Sequence, residues 1–485
     1  MSLLPARKSV VFRIFAFLLW NLFPAFLLVN EVSAGNFQDT AKSSYVIVGK
    51  IFFEGNKLTR PGIIRRELSI HENDTIPVTS LTNILESNRN NIFNTSLFNF
   101  VTIDTSHSSG KPERMDITVH LTERWYIWPW PFFQVSDRNL NSWLQTKDLS
   151  FVTYGTDITI FNLFGENITL IFPMHFGFNQ KYGMNLTTPN IDRKRILGIG
   201  FGGSYERNQE VVVKAMNNKP VYYSNQSVYP RYLTDAFLAV YIRPNFYTRH
   251  AFRLDWQDIH FSDSLIRNTG YSIDHKTNNL KYFSLGYQLK IDRRDVHFYP
   301  LQGVYFDLSV IRNGIFADGV NVLSLKSSFR KYWRISERWY YASGLFGKVS
   351  FPADQPYFLQ QGLGYGREFL RGYEYYVIDG QHYVTIKNNI KFALVPEHVA
   401  RLGFLKSRKF NTFPYAFYLN AYVDMGYVYN NDKTAVRNND LENHFLAGYG
   451  IGIDFTTYYD IIIRTEFSLN LKAEPGIFFH FIAPV

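Results

Sequence analysis

The chain has 485 residues, of which 18% are aromatic, with 33 Tyr and 44 Phe, yet its mean hydropathy is slightly negative at −0.17. It contains no Cys, which excludes disulfides, thiolate metal sites and Cys nucleophiles. The formal charge of +10 would suit nucleic acid in a cytosolic protein; on an exported chain the natural counter-charges are anionic headgroups or lipopolysaccharide phosphates, and no nucleic-acid partner is expected.

Export is what the first 34 residues suggest. Arg7, Lys8 and Arg13 form a basic start, an apolar run extends from Ile14 to Val29, and Val32-Ser33-Ala34 offers a small-residue cleavage site. Pro24 inside the run argues against a permanent anchor. Residues 1–34 are therefore expected to be a signal peptide, with 35–44 a short segment behind it. Nowhere else does the sequence approach the ~18 continuous apolar residues of a spanning helix. If the mature chain enters a membrane, it must do so as a closed barrel, because lipid offers an open backbone no hydrogen-bond partners.

Residues 45–124 read as one small mixed domain. A strand (Val46 to Phe53) leads to a turn at Gly55-Asn56, and Pro61 opens a short helix with Ile63, Ile64 and Leu68 on one side. A second helix is predicted from about Ser80 to Ile92. Two strands follow, near Leu97–Asp104 and Asp116–Glu123. The first of these, with Leu97, Phe98, Phe100, Val101 and Ile103, is expected at a sheet edge, where another chain can add a strand.

From residue 125 to 485 the pattern changes to repeated strict alternation. Ile168, Leu170, Phe172, Met174 and Phe176 share one face, and Phe283, Leu285, Tyr287, Leu289 and Ile291 another. Near the end, Phe445, Ala447, Tyr449, Ile451 and Ile453 oppose Gly448, Gly450, Gly452 and Asp454; Ile461, Ile463, Phe467 and Leu469 oppose Arg464, Glu466, Ser468 and Asn470. About 16 such segments fit an all-β transmembrane barrel with a greasy outside and a wet inside. The first strand reads as short, about Phe132 to Ser136. Two connections are long, Gln209–Arg231 and about 352–381.

Little points to catalysis. The glycines of Gly448-Tyr449-Gly450-Ile451-Gly452 lie inside a strand, not between a strand and a helix as a dinucleotide site requires. The His residues show no H-E-x-x-H spacing, and there is no G-x-S-x-G elbow. Glu466 is expected to pair with Arg464 or Lys472 as part of a polar interior. No enzyme, cofactor or metal site is read here.

Four features in order carry a family resemblance. They are the single small domain, the turn Asp292-Arg293-Arg294-Asp295 with Pro300 and Gly303, Leu370-Arg371-Gly372-Tyr373 in the long connection, and Tyr422-Val423-Asp424-Met425-Gly426 on a later strand. Together they resemble the BamA/TamA-type outer-membrane assembly and secretion superfamily (the bacterial surface antigen family), in a short form with a single POTRA domain. The resemblance implies that the R-G-Y loop folds into the lumen and that Arg371 meets Asp424, which alternation also places on the inner face with Asn420 and Tyr422. Relatives often carry a Glu on the strand after the loop, where this sequence has Asn389. The last strand, with Gly476, Phe479 and Phe481, resembles a terminal outer-membrane signal, although Pro475 and Pro484 should weaken its pairing.

The expectation is a Gram-negative outer-membrane protein with its small domain in the periplasm. It would insert or translocate unfolded outer-membrane or secreted polypeptides by strand templating, in contact with outer-membrane lipids and accessory lipoproteins. The alternatives are a passive or plugged pore for protein or lipid, and a surface adhesin that binds through loops such as Gln209–Arg231.

Overall fold

The structure, a computed structural model, describes residues 45–108, 111–135, 151–225, 227–269, 278–316, 320–366, 368–403, 407–431, 438–457 and 459–481. The signal-peptide expectation for 1–34, the segment 35–44, Ser136 and Pro484 lie outside the described residues.

The small domain runs β1 (Tyr45–Glu54), α1 (Pro61–Arg65), β2 (Thr75–Pro77), α2 (Val78–Phe93), β3 (Phe98–Ser108) and β4 (Lys111–Glu123). Its sheet has the order β2-β1-β4-β3, with β1 parallel to β4 and the other pairs antiparallel. The three-residue β2 was not anticipated; it is too short to show alternation. Pro61 occupies the first turn of α1, where its missing N–H costs nothing. Ile63, Ile64, Leu68 and Ile92 from the helical layer close over Val48, Phe98, Val101, Ile117 and Val119 from the sheet.

The remaining strands are β5 (Ile127–Val135), β6 (Val152–Leu163), β7 (Ile168–Gly177), β8 (Gln180–Thr188), β9 (Leu197–Asn208), β10 (Glu210–Met216), β11 (Lys219–Ser224) and β12 (Arg231–Ile242). They continue as β13 (Thr248–Phe261), β14 (Asn279–Asp292), β15 (Gly303–Ile315), β16 (Val322–Arg334), β17 (Trp339–Phe351), β18 (Gln361–Leu363), β19 (Ile378–Asp379) and β20 (His382–Arg401). The last four are β21 (Thr412–Tyr429), β22 (Phe445–Thr457), β23 (Ile462–Asn470) and β24 (Pro475–His480).

Sixteen of these form one antiparallel sheet, from β5 at one end to β24 at the other. The pairs β10-β11 and β18-β19 stand apart from it. The sixteen-strand expectation therefore holds, and alternation explains the wall. On β21 Leu419, Val423 and Met425 are exposed on the outside, while Tyr418, Asn420, Tyr422, Asp424 and Gly426 are buried inside. Among the described residues no helix is long and apolar enough to cross a membrane.

One expectation needs correction, and one long connection gains structure. The first barrel strand is nine residues long and starts at Ile127, with Pro129 and Pro131 inside it. The long connection Gln209–Arg231 is largely structured. It folds into the β10-β11 hairpin, whose Asn218 carbonyl accepts from Val377 N–H at 2.9 Å. Asn218 N–H in turn donates to Asn439 Oδ1 at 2.9 Å, tying the hairpin over that end of the barrel.

The small domain sits under the opposite end, against the short turns. Arg243 grips Glu67 through two contacts of 2.7 Å. Arg124 grips Asp460 at 2.8 and 2.9 Å. Asn94 donates to the Asp295 carbonyl at 2.9 Å and accepts from His297 N–H at 3.0 Å.

Candidate functional site

The connection from β17 to β20 returns into the lumen, and its tip is a tight turn. Tyr373 N–H donates to the Leu370 carbonyl at 3.0 Å, and Gly372 between them has φ +88°. That is the turn position which glycine occupies without steric cost. Leu370 and Tyr373 bury their side chains with Leu446 and Val428, so Arg371 is held against the wall.

Arg371 is fully buried, as is Asp424. The guanidinium meets the carboxylate through two contacts, Nε to Oδ2 at 2.7 Å and Nη2 to Oδ1 at 2.6 Å. It also lies over the Tyr422 ring, 3.8 Å from its centroid. A desolvated Arg survives only with such a bidentate, charge-assisted partner. The close approach also depends on a wall glycine: a Cβ on Gly448 would lie 1.8 Å from the Arg371 carbonyl oxygen. Gly426 faces Leu370 in the same way, with less crowding. Asn470 Nδ2 completes the clasp by donating to the Gly372 carbonyl at 3.0 Å.

The second acidic partner is not where the resemblance placed it. Asn389 is buried, but both its side-chain amide atoms lack a hydrogen-bond partner among the described residues. The acid comes instead from β23, where Glu466 Oε1 stands 3.4 Å from Arg371 Nη1 and 3.4 Å from Arg464 Nη1. Arg464 is held by Asp454 at 2.5 Å through each of two nitrogens. Lys472, the other partner considered for Glu466, pairs with Asp440 at 2.9 Å.

The turn between β14 and β15 reaches this cluster from below. Arg294 clamps Asp292 at 2.8 and 2.6 Å, and the Asp295 carboxylate accepts from Val296 and Leu301 N–H. Gly303 has φ +107°, and a Cβ there would meet the Arg293 carbonyl at 2.2 Å. With Pro300 buried beside it, the turn pushes Tyr299 into the lumen, where its hydroxyl donates to Asp454 Oδ2 at 2.7 Å. Burial lowers the His297 imidazole in this turn below its ordinary value, although Asp292 opposes the shift. One polar chain thus runs Tyr299, Asp454, Arg464, Glu466, Arg371, Asp424. Alternation had put Asp454, Arg464 and Glu466 on the inner face; nothing in the sequence links Tyr299 to them.

The remaining candidates fall in two places. In β3, a sheet-edge strand, Phe98 and Val101 point into the domain core, as does Leu97 just before it, with Phe100 and Ile103 partly buried. Asn99 on the same strand bonds the Lys409 carbonyl at 3.1 Å, and a cavity of about 360 Å³ separates this half of the edge from Val296, Phe298 and Tyr415. Along the edge Thr102 and the run Asp104–His107 are exposed, the latter just beyond Leu97–Ile103. On the terminal strand Phe479 is exposed on the outer face, as is Phe481 just beyond it, and Gly476 lies beside Phe478.

The strand ends of the sheet complete the picture. Among the described residues no ladder joins β5 to β24; β5 pairs with β6 and β24 with β23. Phe161 N–H donates to the Tyr126 carbonyl at 2.7 Å. By alternation, residues 128, 130 and 132 then direct their backbone groups to β6, and 127, 129 and 131 direct theirs to the free edge. Pro129 and Pro131 leave that edge without two N–H donors.

A sixteen-stranded membrane barrel with an inward loop latched to its wall and one α+β domain beneath its turns defines a class of outer-membrane protein. Residues 162–469 match the family model described as the Omp85 superfamily domain, and residues 46–124 match the POTRA model described as surface antigen variable number repeat. The chain belongs to the Omp85 superfamily, with one POTRA domain, and is a β-barrel of the Gram-negative outer membrane.

Among solved structures, BamA from Haemophilus ducreyi lacking POTRA domains 1–3 is similar, with TM-score 0.50 and 14% identity over 90% of this chain and 83% of that one. CdiB from Escherichia coli gives TM-score 0.46 and 11% identity over 99% and 98%, and CdiB from Acinetobacter baumannii 0.48 and 14% over 90% and 73%. At 14% identity the likeness to BamA speaks for the fold alone. The comparison with curated proteins finds no match.

Proposed function

We propose that this protein inserts or translocates other polypeptides at the outer membrane, and that client strands pair at the seam between β24 and β5. The observation that carries this reading is the seam edge of β5, which presents carbonyls but, at Pro129 and Pro131, no N–H groups. Such an edge cannot zip fully with β24, so opening it sacrifices few hydrogen bonds, and the free edge of β24 remains able to template a strand. The exposed stretch Asp104–His107 of the POTRA domain offers a first strand-pairing edge, with that domain on the periplasmic side, where short turns belong. Outer-membrane lipids and accessory lipoproteins are the further partners of this reading. No enzymatic role is assigned, since Asp424, Asp454 and Glu466 are all engaged by guanidinium groups.

Photo-crosslinkers placed at Phe133, Phe479 and Thr105 test it in cells. Capture of outer-membrane or secreted polypeptides from the two seam positions is the expected result. Lipid adducts alone, together with normal levels of every outer-membrane and surface protein after depletion, would overturn it. Steady conductance of the purified protein in planar bilayers would favour a plugged pore instead.

A further inference from the structure

We propose that Glu374, Glu466 and His480 form a binding site for one divalent transition-metal cation of the zinc type, which fastens the lumenal loop and β23 to the terminal strand. These three residues come from the loop, β23 and β24, and their ligand atoms all lie within 4.8 Å of one another. Glu466 is fully buried, and Glu374 and His480 are nearly so, at 11% and 12% exposure.

The spacing of the three ligand atoms leaves room for an ion between them. His480 Nε2 stands 3.4 Å from Glu466 Oε2 and 3.7 Å from Glu374 Oε1. Charge-assisted hydrogen bonds close to about 2.7–2.9 Å. Ligand atoms around a tetrahedral zinc, with bonds near 2.0–2.2 Å, stand about 3.3–3.6 Å apart. Among the described residues, the three atoms that face the shared space, Glu374 Oε1, Glu466 Oε2 and His480 Nε2, have no hydrogen-bond partner and face only one another. The other carboxylate oxygens are occupied: Glu374 Oε2 accepts from Gly372 N–H at 2.7 Å, and Glu466 Oε1 faces Arg371 and Arg464.

Charge supports the same assignment. Arg371 and Arg464 are each matched by an Asp of their own, so Glu374 and Glu466 bring two further carboxylates to the His480 imidazole. Lys387, over the Phe369 ring at 4.8 Å, offsets one of them. Two carboxylates and one imidazole form a donor set that suits zinc, with a fourth position left for water. The ring is also held in place: Phe369 stacks on His480 with centroids 5.0 Å apart and planes 9° apart. The site as such is independent of the client; its role as a latch on the terminal strand rests on the seam reading above.

The full chain in detergent is stripped with chelator, loaded with Zn²⁺, desalted, and its metal measured. One zinc per chain is expected, falling at least tenfold in His480→Ala and in Glu374→Gln, each checked for folding by its heat-modifiable gel mobility. Co²⁺ loading of the unaltered protein is a second readout that needs no variant; it should give the intense visible bands of a tetrahedral centre, bleached by excess Zn²⁺. No retained metal and no such bands, or retention unchanged in folded His480→Ala, would overturn the site. Client capture at Phe479 without metal binding would sink the metal and leave the seam reading intact, whereas stoichiometric metal without client capture would do the reverse.

Discussion

The two sides of the barrel lumen are built on different electrostatics. On the side formed by β20 to β23, Arg371–Asp424 and Arg464–Asp454 are fully buried. On the side formed by β6 to β13, the inward pairs are wet: Lys181–Glu206 at 37% and 17% exposure, His175–Asp157 at 12% and 39%, Arg253–Asp255 at 45% and 24%. Buried pairs must keep both partners, whereas exposed ones contribute little. The C-terminal wall therefore behaves as a fixed body clamped by the loop. On the seam reading proposed above, movement falls to the N-terminal wall, whose first strand carries Pro129 and Pro131.

Breaking the clamp should have the largest effect. Arg371→Ala strands the Asp424 carboxylate and is expected to cost about 3–5 kcal/mol, while Lys181→Ala on the other wall should cost less than about 1 kcal/mol. Urea unfolding in detergent, followed by tryptophan fluorescence, compares the two; equal losses would erase the asymmetry. Next comes a matched pair of glycines. Gly448→Ala drives a methyl into the Arg371 carbonyl and should cost about 1–3 kcal/mol. Gly286→Ala, whose nearest neighbour would be 3.7 Å away, should stay within about 0.5 kcal/mol.

The seam itself can be sharpened. Pro129→Thr with Pro131→Thr restores two donors to the β5 edge, each worth about 0.5–1.5 kcal/mol if paired. Slower unfolding with reduced client capture at Phe479 is expected; capture that stays at the starting level would show that the prolines do not govern opening. The smallest effect concerns the domain contact. The folded His297 imidazole binds protons less readily than in the unfolded chain, so stability rises with pH and its share is lost as pH falls below about 6.5. His297 is 42% exposed, so solvent screening keeps the change small. A slight fall in Tm between pH 7 and pH 5, flattened in His297→Gln, is the signature to look for.

Period-two alternation was enough to establish the barrel, its sixteen strands and the inward direction of Asp424, because a strand's faces are decided residue by residue. The POTRA helices and its three longer strands were legible for the same local reason, and the loop and wall motifs were visible as short strings. What only the tertiary structure decided are relations between strands distant in sequence. Glu466, not the position of Asn389, supplies the second acid, because the loop tip descends beside β23. Tyr299 joins the network through a turn remote from it in sequence, and Gly448 matters because a carbonyl of another segment lies against it. Local pattern tells which way a side chain points; which side chain it meets depends on closure and loop path, which no single stretch encodes.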